Sequence, residues 1–239
     1  MFKKMIMDGA AAMGVEMSCE QAAKFEIYHN MLVEANARMN LTRVPEDLRE
    51  AIDRNYLDCI SPLAKEFPKV ENAVDVGSGA GFPGIPLSIM MPDTHFVLVD
   101  ALGKRVGFLK EVIEKLGLNA EAHHLRAEDA ARRPDLREQF DMATARAVAS
   151  LNLLSEYLLP FVRTGGWMLT LKGPSLDEEL DEAAYALEVL GGEKMRVERL
   201  TIPGRDWDHR CAWIRKVQPT PEKYPRKAGQ PEKKPLVRK

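Results

Sequence analysis

The residues able to do chemistry concentrate in Asn72 to Pro86, which reads NAVDVGSGAGFPGIP. Ala73 to Val76 is a short apolar run broken only by Asp75, and it leads directly into Gly77, Gly79, Gly81 and Gly84. A buried strand feeding a glycine loop is a nucleotide-site signature. Glycines let the chain turn tightly and bring backbone N–H groups close to a ligand that side chains would hold off. Pro83 and Pro86 suit the first turn of a following helix, whose N-terminus favours a negatively charged ligand group. Gly79-x-Gly81-x-x-Gly84 satisfies the dinucleotide fingerprint, and Asp100 stands near the distance at which an acid takes the ribose hydroxyls. Asp75 inside the strand, with glycines at alternate positions 77, 79 and 81, tilts the motif towards S-adenosylmethionine. On the motif alone both ligands stay open.

The surrounding elements form a frame for this loop. Ser18-Cys-Glu-Gln21 is a capping box for a long helix with Ala22, Phe25, Tyr28, Leu32, Ala35 and Met39 on one face. Pro45 opens a second helix through Leu48, Ile52, Tyr56 and Ile60. Strands are then expected at 73–76, 96–99, 121–125, 142–145 and 167–171, alternating with helices, the last of them opened by a capping box at Ser175 to Glu178. Five such repeats demand a parallel sheet with helices on both faces. Two further strands, about 196–202 and 212–217, lack an intervening helix and should pair as a hairpin. The expected fold class is therefore α/β, a doubly wound Rossmann-like sheet of the class I methyltransferase type. Its domains are an N-terminal helical extension over 1–70, a ligand-binding domain over 71–218 and a basic, Pro-rich tail over 219–239. A dehydrogenase would be expected to continue with another βαβ half, a distinction resting on fold analogy.

Composition sets the outer bounds. With 239 residues and 45% hydrophobic content, the chain can bury one good core. Arg215 to Lys239 holds nine Lys or Arg against two Glu, a charge of +7 on a chain whose overall charge is −2. That asymmetry suits either a polyanionic partner or a solvated terminus, and the tail is expected to be extended and mobile until bound. Cys19, Cys59 and Cys211 are scattered, with no zinc-type spacing, which points to a reducing compartment and no metal site. Asp8 and Gly9 interrupt the apolar start, so no export signal is read there, and no stretch has the length of a membrane span. A cytoplasmic protein is expected.

Several segments together go further. Met39-Asn-Leu-Thr42, DVGSGAGFPGIPLSI from Asp75, LVDALGKRVGFLKEV from Leu98, RAED from Arg126, ATARAVASL from Ala143, LKG from Leu171 and YPRKAGQPEKKPL from Tyr224 resemble the RsmG family, formerly GidB. The resemblance runs from about Tyr28 to Pro235. It implies S-adenosylmethionine-dependent methylation of a guanine N7 in the decoding-region hairpin of 16S ribosomal RNA, on free RNA or on the small ribosomal subunit. It also implies cofactor contacts at Gly77, Phe82, Ala127, Glu128 and Arg146, beside Asp100, which the ribose argument supplies. One departure is that Asn55 stands where the family usually has a histidine, although Asp58 matches.

Guanine N7 carries a lone pair and no proton, so its methylation needs no general base and no catalytic acid–base residue is assigned. Positioning then supplies most of the rate. RNA is expected to be held by Lys172 at the end of the fifth strand, by Arg210, and by Arg226, Lys227, Lys233 and Lys234 in the tail, with Trp207 and Tyr224 as stacking candidates. Two readings from other classes are a dinucleotide-dependent oxidoreductase and a non-catalytic RNA-binding protein. The first leaves the basic tail unexplained, and the intact loop, Asp100 and Glu128 speak against the second.

Overall fold

The computed structural model describes residues 1–146 and 149–238. Its sheet contains β1 (Asn72–Val76), β2 (His95–Asp100), β3 (Ala120–His124), β4 (Phe140–Arg146), β5 (Val162–Lys172), β6 (Gly192–Leu200) and β7 (His209–Lys216). The spatial order is β3-β2-β1-β4-β5-β7-β6. β1 to β5 pair in parallel, and β7 inserts antiparallel between β5 and β6, which makes the expected terminal hairpin. Central β1 is buried on both faces from Ala73 to Val76, as an enclosed parallel strand must be. Edge strands β3 and β6 are polar, which suits partly solvated edges.

The helices are α1 (Phe2–Ala12), α2 (Cys19–Met39), α3 (Leu48–Ile52), α4 (Asp58–Ile60), α5 (Gly84–Met90), α6 (Gly103–Leu116), α7 (Ala127–Ala130), α8 (Leu151–Leu158), α9 (Leu176–Leu190) and α10 (Gln230–Lys233). The Ser18 capping box forms, with Gln21 N–H donating to Ser18 Oγ and Ser18 N–H donating to Gln21 Oε1. The box expected at Ser175 does not: Ser175 Oγ donates to Glu179 Oε1 instead, because Glu179 is already drawn to Lys172. α1 escaped the sequence reading, since Met1 offers no side-chain cap and Asp8 and Gly9 interrupt its apolar run. The second expected helix starts at Leu48, capped by Asp47, and widens into a π turn over Asp53–Leu57.

Phe25, Tyr28 and Leu32 of α2 pack in the same buried cluster as Ile85 of α5 and Leu109 and Val112 of α6. The N-terminal helices therefore share the core of one sheet face. On the other face α8 and α9 pack on Val74, Val76 and Val97, and Tyr224 and Leu236 of the tail join them. This corrects the expectation of an extended, mobile tail: its apolar side chains Tyr224, Pro231 and Leu236 are buried. Among the described residues no helix is long and apolar enough to cross a membrane.

Candidate active site

The strand order reverses between β1 and β4, and in open α/β sheets ligands collect in the crevice at that point, beyond the carboxyl ends of the strands. The loop after β1 lies there. Gly77, Gly79 and Gly81 adopt φ of 73°, 60° and 108°, the left-handed region that side chains disfavour. A Cβ on Gly81 would also lie 2.6 Å from Ile85 and 2.8 Å from the Tyr28 hydroxyl. The loop is braced from below. Tyr28 donates its hydroxyl proton to the Ala80 carbonyl at 2.6 Å, and Gly84 N–H donates to Asp75 Oδ2 at 3.0 Å. Burial pushes the Asp75 carboxyl up to about 7, against the Gly84 and Ser78 hydrogen bonds that lower it. Asp75 thus organises the loop from within the core.

Beside the loop is a cavity of about 140 Å³ lined by Gly77, Asp100, Ala127, Glu128, Tyr157 and Glu232 among others. Asp100 is 2% exposed. Its Oδ2 accepts from Gly79 N–H at 2.8 Å and its Oδ1 from Leu102 N–H at 2.9 Å, which fixes the carboxylate relative to the loop. Each oxygen has a second lone pair for a ligand hydroxyl. A bare glycine backbone, fixed carboxylate acceptors and apolar Leu125 and Leu154 suit an adenosine, whose ribose hydroxyls and amino group are donors. Phe82 lies elsewhere. It is 6% exposed, its ring centroid is 5.7 Å from that of Tyr28, and the Arg146 guanidinium sits 4.7 Å above its ring.

A larger cleft, about 980 Å³, lies at the carboxyl ends of β4 and β5 and is lined by Asn55, Asp58, Arg146, Lys172, His209 and Arg210 with others. Its helical wall is the π turn, a distortion frequent at functional sites, which puts Asp53 in the core and Asn55 and Asp58 on the cleft. Asp58 accepts from His209 Nδ1 at 2.7 Å and faces Arg146 Nη1 at 3.4 Å. The Asp58 hydrogen bond raises the His209 pKa. Arg146 also donates to the Arg54 carbonyl at 2.7 Å. The adjoining loop is pinned to the same turn, because Arg205 donates to buried Asp53 at 2.7 Å and both Arg54 and Arg205 lie over the Trp207 ring.

The structure separates the residues that the sequence groups as RNA-binding. Lys172 and Arg210 do line the large cleft, but Lys172 pairs with Glu179 at 2.6 Å and Arg210 with Asp177 at 2.6 Å and Asp208 at 3.0 Å. Arg226 is turned inward onto Glu156, and Tyr224 is buried, so neither is a free contact; the apolar packing of the tail is the reason. Lys227, Lys233 and Lys234 are exposed. Ala147 and Val148, within the segment quoted from Ala143, lie outside the described residues. His209, Tyr157 and Glu232 were not singled out from sequence. His209 meets Asp58 across 151 positions, and only the topology brings them together.

A seven-stranded, doubly wound sheet with a glycine loop at its switch point and an acid ending β2 defines a class I, S-adenosylmethionine-dependent methyltransferase. Residues 21–207 match the family described as rRNA small subunit methyltransferase G. The ribosomal RNA small subunit methyltransferase G of Clostridium perfringens (strain 13) is 44% identical over 227 residues, covering 94% of this chain and 95% of that protein. That of Lactobacillus johnsonii is 45% identical over 231 residues, covering 95% and 96%. Among solved structures, the fibrillarin pre-rRNA processing protein of Methanococcus jannaschii is similar in fold, with a TM-score of 0.50 at 15% identity over 66% of this chain and 74% of that one. The chain belongs to the rRNA small subunit methyltransferase G family.

Proposed function

We propose that this chain methylates N7 of one guanine in the decoding-region hairpin of 16S ribosomal RNA, with the RNA or small subunit docking over the large cleft. The observation that carries this reading is that the two strands flanking the switch point each lead to a cavity. Gly77 follows β1 and lines the small cavity with the Asp100 carboxylate, while Arg146 ends the neighbouring β4 and lines a cleft of about 980 Å³, roomy enough for a nucleotide turned out of its stack.

When bound, S-adenosylmethionine supplies an electrophilic methyl group on sulfur. The chain's part is placement. Asp100 would hold the ribose, the Ala127–Glu128 segment would border the adenine, and the bare backbone at Gly77 would leave room for the methionine end. Asp58 fixes both Arg146 and His209 on the cleft wall, so the groups that face the target base are held before it arrives. Guanine N7 carries its own lone pair and no proton, so no side chain would have to act as a base. Exposed Lys227, Lys233 and Lys234 grip phosphates, Arg226 serves by holding the tail in place, and Lys172 and Arg210, paired with Glu179 and with Asp177 and Asp208, shape the cleft wall.

The test is transfer of labelled methyl to deproteinised small-subunit RNA and to intact subunits from cells lacking this protein, with the product mapped by cleavage at N7-methylguanine. One labelled guanine in the decoding-region hairpin is expected. Label on an exocyclic amine, or on large-subunit RNA alone, would refute the reading.

A further inference from the structure

The tail takes a path that the RNA-gripping role does not require. Lys216 Nζ, buried at the end of β7, donates to the Leu159 carbonyl at 2.6 Å and to Thr220 Oγ1 at 2.7 Å, which turns the chain towards α8. Arg137 then donates to the carbonyls of Thr220 and Tyr224, both at 2.8 Å. Next comes a lock. Arg226 places its backbone N–H 2.8 Å from Oε1 of Glu156, and its guanidinium 2.9 Å from the same oxygen and 2.6 Å from Oε2. Glu156 is 1% exposed, so this is a buried carboxylate whose charge the tail neutralises.

Beyond the lock, the tail reaches the small cavity at two points, through Glu232 in its lining and through Gly229, which bonds the lining residue Glu128. Gly229, at φ 76°, aims its N–H at Glu128 Oε1, 3.2 Å away. Glu232 on α10 accepts the Tyr157 hydroxyl proton at 3.3 Å. Burial, reinforced by Glu128 and Glu232, raises the Tyr157 pKa and keeps that hydroxyl a donor. Glu128, Tyr157 and Glu232 line one cavity with Gly77 and Asp100. The tail is thus a wall of this cavity as well as a carrier of lysines.

Resting on the reading of this cavity as the S-adenosylmethionine site, we propose that the tail segment 227–233 completes it and that Glu232 accepts a hydrogen bond from the adenine amino group. With the ribose at Asp100 and the ring along Ala127 and Glu128, the amino group is the ring's N–H donor and points away from the ribose. Each of the two glutamates that line the cavity has one oxygen engaged, Glu128 Oε1 by Gly229 N–H and Glu232 Oε1 by the Tyr157 hydroxyl, and a second left to accept. Glu232, the acid that the tail contributes, is the one assigned to the amino group. Arg226 does not line the cavity and acts as a positioning residue, fixing where the tail crosses.

The experiment is calorimetric titration of the full chain and of its Glu232→Ala and Arg226→Ala variants with S-adenosylhomocysteine and with S-inosylhomocysteine. The second ligand carries a carbonyl oxygen in place of the amino group. The unsubstituted protein should prefer the adenosyl ligand. Glu232→Ala should weaken that ligand about tenfold or more, as for a lost hydrogen bond to a charged group, while leaving the inosyl ligand unchanged or tighter. Arg226→Ala should weaken both ligands together, and a circular-dichroism melt on each variant checks that it folds. Adenosyl binding unaltered in Glu232→Ala, an equal loss of both ligands in that variant, or Arg226→Ala binding as the parent would each overturn the proposal. An unsubstituted protein that binds neither ligand would instead remove the cofactor reading beneath it.

Discussion

Gly84→Ala tests the packing that carries the glycine loop. A Cβ at Gly84 would stand 2.3 Å from Leu98 Cδ2, 2.6 Å from Asp75 Oδ2 and 2.9 Å from Asp75 Cβ. Leu98 and Asp75 are fully buried on adjacent strands, so neither can swing into solvent. The relief available is for α5 to lift off the sheet, which also stretches the 3.0 Å bond from Gly84 N–H to Asp75. Overpacking of this kind costs about 1–3 kcal/mol, and weakening a hydrogen bond to a buried carboxylate adds about 1–2 kcal/mol. For a chain of this size each kcal/mol moves Tm by about 2–4 °C, so the variant should melt roughly 5–15 °C lower. Gly107→Ala is the companion control. Gly107 is exposed within α6, nothing lies within 4 Å of its added Cβ, and the change should stabilise by about 0.4–1 kcal/mol. Scanning calorimetry on both variants, with and without S-adenosylhomocysteine, reads the difference. A Gly84→Ala protein that melts within a degree of the parent would refute the close seating of Gly84 against Asp75 and Leu98.

Three further outcomes follow from Asp75 and Asp58. The folded state raises the Asp75 pKa to about 7, above the usual value near 4, so it favours the protonated acid. The stability this contributes is complete below about pH 4 and is lost as pH rises through about 7; Asp75→Asn should remove that slope from urea-unfolding measurements across this window. His209 should titrate above its ordinary value in the parent, because Asp58 bonds its Nδ1, and should fall back in Asp58→Asn, as followed by the imidazole proton resonances. That same variant should lose far more methyl transfer than S-adenosylhomocysteine affinity, since Asp58 lines the large cleft and not the small cavity.

The sheet was legible because its strands are short apolar runs between turn signals, and because the glycine loop fixed where the alternation begins. Strand ends were less so: β5 starts at Val162, where exposed Arg163 and Thr164 carry no strand pattern, and β7 starts at polar His209. The tail was misread for a physical reason. Proline and lysine dominate its composition, but Tyr224, Pro231 and Leu236 are spaced too irregularly to register as a buried face, and the acid that receives Arg226 lies 70 positions earlier. At the site, Asp100 was predictable from its spacing to the glycines. The Asp58–His209 pair and the Tyr157–Glu232 contact were not, because each joins residues separated by 75 positions or more.

The Tyr28 hydroxyl on the Ala80 carbonyl bears on modularity. A methyltransferase sheet preceded by helices invites trimming, as if the helices were a detachable adaptor. Here the side chain that supports the underside of the cofactor loop comes from α2, and the aromatic cluster around it draws on Phe2, Phe25 and Tyr56 as well. Residues 71–218 alone would keep every strand and lose the brace. Limited proteolysis should accordingly yield no stable sheet-only fragment.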